Sequence, residues 1–313
     1  MLKDKLLNVY GKFGPMIGLL VLIIVVSFLS PVFLTTSNLT NLLRQVSVNG
    51  LIAFGMTFVI LLGAIDLSVG SVLAFSSAVM ASLVVSGIPY AMALLAAVLV
   101  GAVLGMMNGL VITYGKVAPF IVTLATMTVF RGATFIFTDG VPISGISRDG
   151  NLFQFIGREE ILGLPFPVVM MLVIFLLLFV LLHKTAFGRK VYAVGGNEKA
   201  ANIVGVKINK IKILVFTLSG ALAALAGVII TSRLGSAQPN AGLSYELDAI
   251  AAVVLGGTSL SGGKGRMFGT FIGILIIGVL NNGLNILGVS SFYQEVAKGA
   301  VILIAVLLDR KDA

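Results

Sequence analysis

The 313-residue sequence contains no cysteine. Disulfides, thiolate metal sites and cysteine nucleophiles are therefore excluded. A single histidine, His183, leaves no cluster for a metal centre and no partner set for triad chemistry. Charge is scarce as well. Asp, Glu, Lys and Arg make up 11% of the chain, against about 25% in soluble domains. Disorder is excluded by the same scarcity, because disordered segments are polar and highly charged. There is also no G-x-x-x-x-G-K-[ST] loop, so any nucleotide that drives this protein binds to another one.

Apolar sequence fills the space that charge leaves. Hydrophobic residues are 58% of the chain and the mean hydropathy is +1.12. A water-soluble fold of this size has nowhere to hide so much apolar surface, which predicts a membrane protein. A spanning helix needs roughly 20 mostly apolar residues. Ten such stretches are expected, at about 15–33, 46–63, 68–87, 91–114, 117–138, 166–183, 211–232, 245–258, 267–286 and 294–308. The first is too long for a cleavable signal peptide and no small-x-small site precedes a polar mature region. The eighth is short and the turn after the second is tight, so either is a candidate for a broken or re-entrant segment. The expected fold is thus an all-α polytopic membrane protein, a single domain over 1–313 with a prominent polar loop at about 184–210.

The net charge of +9 does not require nucleic acid as a partner, because membrane proteins retain Lys and Arg on the cytoplasmic side. Alternation from a cytoplasmic N-terminus places fifteen basic residues inside, among them Lys3, Lys5, Lys12, Lys264, Arg266, Arg310 and Lys311. Arg44, Arg148, Arg158 and Arg233 fall outside, and Arg131 and Lys298 lie within spans. Both termini are therefore expected in the cytoplasm. Seven of the fifteen lie in the loop 184–212.

Several of the 37 glycines recur at i, i+4: Gly101, Gly105 and Gly109, then Gly265, Gly269 and Gly273. Small residues on one helix face allow close packing in lipid. GGKGRMFG at 262–269 is a weak nucleotide motif, since no soluble strand or βαβ unit frames it. A faint internal echo relates LGAIDLSVG (62–70) to LGGTSLSGG (255–263), both expected in cytoplasmic turns. A second echo, GMMNGL (105–110) against GVLNNGL (278–284), implies a different symmetry, so no repeat is established.

Within the polar loop, residues 195–206 read GGNEKAANIVGV. Asn197 is a good N-cap, and Glu198 sits in the first turn, where a carboxylate favours the helix dipole. About two helical turns follow, and Gly205 stands where a left-handed C-cap is wanted. So short a helix is marginal alone. Its slim face at Ala200 and Ala201 and its apolar knob at Ile203 and Val204 suit a socket on a cytoplasmic partner. A connector lying against the protein's own membrane face is the other reading.

Glu198, Ala200, Ala201 and Gly205 form E-x-A-A-x-x-x-G, which resembles the coupling-loop motif of ABC importer permeases. GMTFVILLGAIDLSVGS (55–71), APFIVTLATMTVFRG (118–132), SAQPNAGLSYELDAIAAVVLGGTSLSGGKG (236–265) and NNGLNILGVSSFYQ (281–294) resemble the monosaccharide branch of that family, most of all its ribose permeases. The resemblance covers nearly the whole chain. Lys199 departs from it, standing where the broader motif has Ala; this touches the surface of the helix only. The resemblance implies a coupling helix seated in a cleft of a cytoplasmic ATPase subunit. It further implies a second permease chain, two ATPase domains, a periplasmic or extracellular sugar-binding protein and a location in the cell membrane. This chain would bind no cofactor, ATP being held by the partner.

Ionisable residues in the bilayer are candidates for function, but here each has a structural reading. Asp66 can satisfy backbone amides in its tight turn. Glu246 and Asp248 lie in the first turn of a segment that Ser244 can cap. Arg131 and Lys298 can pair or snorkel. A neutral, hydroxyl-rich sugar needs hydrogen-bonding groups without a trapping charge. Asn49, Asn108, Asn281, Asn282 and Asn285 are therefore the candidate lining of a path, with interhelical bonding as their other role. External charges in 139–164 (Arg148, Asp149, Arg158, Glu159 and Glu160) could receive a binding protein. Two other classes compete. An ion-gradient-driven secondary sugar transporter would place carboxylates near the midplane, whereas these acids cluster at turns and helix starts. An intramembrane enzyme would have no cysteine and no paired midplane acids to work with.

Overall fold

The computed structural model describes residues 2–146, 151–161 and 163–309. Arg148, Asp149, Arg310 and Lys311 lie outside the described residues. Each of the ten apolar stretches is occupied by a helix: α1 (Leu2–Leu29), α2 (Thr36–Leu61), α3 (Val69–Val85), α4 (Tyr90–Gly115), α5 (Pro119–Thr138), α7 (Phe166–Lys184), α10 (Ile208–Leu234), α11 (Tyr245–Leu255), α12 (Met267–Ile286) and α13 (Ser291–Asp309). Among the described residues α2, α4, α5, α7, α10 and α12 are long and apolar enough to cross a membrane. The eighth stretch is as short as its sequence suggests, the eleven residues of α11. Three short helices complete the set, α6 (Asn151–Arg158), α8 (Ala186–Gly196) and α9 (Glu198–Ile203).

The core is built around α2. From Val46 to Leu61 every residue except Asn49 is buried, as expected of a helix that is hydrophobic all round. The outer helices bury only a stripe. On α4, Gly101, Gly105 and Gly109 face α10, while Leu95, Leu99, Val103 and Met107 are exposed on the other side. A side chain at Gly105 would overlap the Phe216 carbonyl, and one at Gly220 the Gly101 carbonyl; the two backbones touch directly. The second glycine series is corrected in part. Gly269 and Gly273 do pack against Ala252 of α11 and Gly256 that caps it, but Gly265 precedes α12 and lies on Thr258.

Short elements close the two ends of the bundle. At one end α6 buries Phe153 and Ile156, with Phe153 edge-on to Tyr90 at 5.2 Å. Arg44 donates there to Glu160 at 3.3 Å. Two-residue strands β1 (Ile143–Ser144) and β4 (Ser236–Ala237) pair antiparallel, as do β2 (Glu160–Ile161) and β3 (Leu164–Pro165). At the other end the turns 62–68 and 256–266 meet. Gly263 N–H donates to the Leu61 carbonyl at 2.9 Å, so the two echoing sequences lie against each other.

Candidate functional site

The segment 184–212 sits on those two turns. α8 begins at Thr185, whose hydroxyl accepts from Gly188 N–H at 3.4 Å, and it buries Val191 and Val194. Tyr192 donates to the Gly265 carbonyl at 2.8 Å, and burial pushes its phenol above the usual range, against an opposing effect of Arg266. Gly195 is pressed on Leu61 and Gly263, with no room for a Cβ. The helix is thus joined at once to the end of α2 and to the turn before α12.

α9 follows directly. The Asn197 side-chain oxygen accepts from Ala200 N–H at 2.9 Å. Both Glu198 oxygens accept from Lys212 Nζ at 2.9 Å, tying the helix to α10. Gly205 has φ +81°. Val206 N–H reaches the Ala201 carbonyl and Gly205 N–H the Asn202 carbonyl, each at 3.0 Å, the paired bonds of a Schellman ending. Ala201 is buried, while Ala200 is exposed and Ile203 and Val204 are 86% and 77% exposed. The apolar tip therefore does not lie on the chain's own surface. Loss of the cap is expected to cost about 1 kcal/mol: Asn197→Ala should speed amide exchange across α9 while leaving the melting temperature of the bundle nearly unchanged.

The five asparagines separate into different settings. Asn49 and Asn281 converge, donating to Asp248 Oδ2 at 3.4 and 3.2 Å. Lys298 pairs with the same carboxylate at 3.1 Å, with side-chain exposures of 16% and 5%. Four helices, α2, α11, α12 and α13, meet at this cluster. Asn282 instead exchanges reciprocal amide bonds with Asn38, at 2.9 and 2.8 Å. Asn285 accepts from Gln294 at 2.9 Å. Asn108 lies near the far end, donating to Ser68 at 2.8 Å.

Glu246 and Asp248 do lie in the first turn of α11, and Lys298 pairs as one of its two readings had it, but three neighbouring details differ. Ser244 takes φ +63° and makes no side-chain cap bond, so α11 starts without the expected hydroxyl cap. Asp248, read as a helix-start acid, is a buried ion-pair member, and no local signal announces a partner fifty residues away. Arg131 turns inward, donating to the Pro239 and Ala241 carbonyls at 2.8 Å each. Asp66 meets its expectation. It accepts from Ser68 N–H at 3.0 Å, and also from the Ser68 and Ser219 hydroxyls at 2.7 and 3.0 Å. Among the described residues no group of three or more His, Asp or Glu is placed to hold a metal ion.

The model of one family, described as branched-chain amino acid transport system / permease component, matches residues 38–306. The chain is 64% identical over 306 residues to the ribose import permease protein RbsC of Bacillus subtilis, covering 98% of this chain and 95% of that one. It is 54% identical over 294 residues to the protein of the same name from Haemophilus influenzae, covering 94% and 91%. The Escherichia coli K12 protein is also 54% identical, over 297 residues, covering 95% and 92%. No solved structure matches the chain significantly.

Proposed function

The chain belongs to the branched-chain amino acid transport system / permease component family, and on that premise we propose that it is the membrane permease subunit of an ATP-binding cassette importer for ribose. It is not itself an enzyme, and its relatives do not favour a gradient-driven secondary transporter. An importer of this kind works with an ATPase and a substrate-binding protein. Finer features of the reading are ten spans with both termini in the cytoplasm of a cell-membrane protein, and assembly as a homodimer. ATP is held and hydrolysed by the partner.

One observation carries the mechanism: the apolar tip of α9 is exposed while α9 is tied to α10, and α8, directly before it, is fixed to α2 and the turn before α12. Movement in an ATPase cleft holding Ile203 and Val204 would pass through Gly195 to Leu61 and Gly263, and so into two helices of the bundle. Halfway along α2, the amides of Asn49 and Asn281, gathered at Asp248, offer hydroxyl-bonding groups. A path of amides that grips weakly suits a sugar already selected by the binding protein.

The test uses the reconstituted importer with its ATPase and ribose-loaded binding protein. Ile203→Asp with Val204→Asp should abolish ATP-dependent uptake, because a carboxylate in an apolar socket is not compensated, while the melting temperature stays unchanged. Gly205→Leu should do the same. A Cβ there meets nothing of this chain within 4 Å, so beyond the cost of a left-handed leucine its obstacle is whatever docks. Full uptake by both variants would sink the coupling role.

A further inference from the structure

Beside α8 a groove of about 520 Å³ opens between the ends of α7 and α12, lined by Phe179, His183, Tyr192, Gly265, Arg266 and Phe268. Its wall is aromatic from the apolar zone to the rim. Phe175 contacts Phe271 and Phe179 with ring centroids 5.0 and 6.0 Å apart, Phe179 lies 4.7 Å from the His183 ring, and His183 lies 6.3 Å from Tyr192. Phe268, half exposed, forms the other side. The His183 Nε2 accepts from Met267 N–H at 3.3 Å, so the ring is anchored as part of the wall.

The rim is cationic. Arg266 lines the groove, and Lys184 follows the lining His183 in the chain; both are exposed, and among the described residues neither has a carboxylate within ion-pairing distance. Among the described side chains at this end, Glu198 is paired with Lys212 and the buried Asp66 accepts from serines. A trough with an aromatic wall, one cation on its lining and a second beside the lining His183 suits one class of molecule. Its tail must be hydrocarbon and its head a phosphate, which a guanidinium grips through paired N–H groups. Basic pockets at the cytoplasmic ends of spanning helices select acidic lipid headgroups in this way.

We propose that this groove is a binding site for an anionic phospholipid, with an acyl chain along Phe179 and Phe268 and the phosphodiester on Arg266 and Lys184. The proposed orientation enters only in naming the leaflet, which would be the cytoplasmic one. Binding itself requires neither transport nor an ATPase.

The experiment places the purified chain in nanodiscs of equal parts phosphatidylcholine and phosphatidylglycerol, then counts lipids retained on release by native mass spectrometry. The wild type should keep phosphatidylglycerol in preference to phosphatidylcholine. Lys184→Gln and Arg266→Gln should each lower that preference about fivefold, and the double variant more. Both side chains are exposed, so the variants should elute and melt as the wild type does. Arg189→Gln with Lys190→Gln, exposed cations of the same loop that neither line the groove nor stand next to a lining residue in the chain, should retain the wild-type preference. An unchanged preference in the double variant would overturn the site, and so would an equal loss in the Arg189/Lys190 control, which would reduce the effect to general surface charge. The same nanodiscs with the Ile203/Val204 variant should still hold the lipid, so this site and the coupling role fail separately.

Discussion

Gly105→Val is expected to prevent the bundle from forming a stable product. The position lies where α4 and α10 cross with backbones in contact, and a new side chain would overlap the Phe216 carbonyl and sit 3.1 Å from Gly220 Cα. Neither neighbour is a movable side-chain end. The helices must separate, and the separation also pulls on the hydrogen-bonded chain at their inner ends, where Asn108 donates to Ser68 and Ser68 and Ser219 donate to Asp66. Overpacking usually costs about 1–3 kcal/mol; a backbone obstacle with a coupled polar network puts this case at or beyond the upper end. The measurement is the monodisperse yield in mild detergent with the melting temperature of whatever survives. Gly132→Val supplies the control. It is also a mid-helix glycine, on α5, but its Cβ would meet nothing within 4 Å, and it should be tolerated. Equal behaviour of the two variants would show that the α4–α10 contact is looser than described.

Lys298→Met is the second large effect. It leaves the buried carboxylate of Asp248 with two long amide contacts and no cation. Removing one partner of a buried pair costs about 3–5 kcal/mol, mostly from the charge left behind. Asp248→Asn should cost less, because Lys298 sits in the second turn of α13 and can extend toward the membrane surface. The double variant Asp248→Asn with Lys298→Met should recover much of the loss, since it removes both charges together. Melting curves of the four proteins in detergent form the cycle. Additive losses would mean that the pair does not act as a unit and that α13 is held by its apolar contacts alone.

Residues taken in order are informative where the physics is local. All ten apolar stretches hold helices, six of them among the described residues long and apolar enough to cross a membrane, because in lipid a backbone must satisfy itself and a run of Leu, Val and Ile announces that without reference to its neighbours. The punctuation of α9 was equally legible. Asn197, Glu198 and Gly205 act within one turn of where they stand, so capping and the left-handed ending follow from their identities. The E-x-A-A-x-x-x-G pattern of residues 198–205 and the resemblance it carries are visible for the same reason.

The rest belongs to the tertiary structure. Five asparagines looked alike in sequence, yet packing sent Asn49 and Asn281 to one carboxylate, Asn282 to Asn38 and Asn108 to a serine at the opposite end. Ser244 had the right chemistry for a cap and the wrong backbone angle to use it. Lys298 was free to snorkel until α13 came to rest against α11. Sequence determines what a residue can bond to and how the segment around it must fold. Only the fold decides which partners arrive, because in a bilayer a buried polar group takes whichever complementary group a neighbouring helix brings within 3 Å or so.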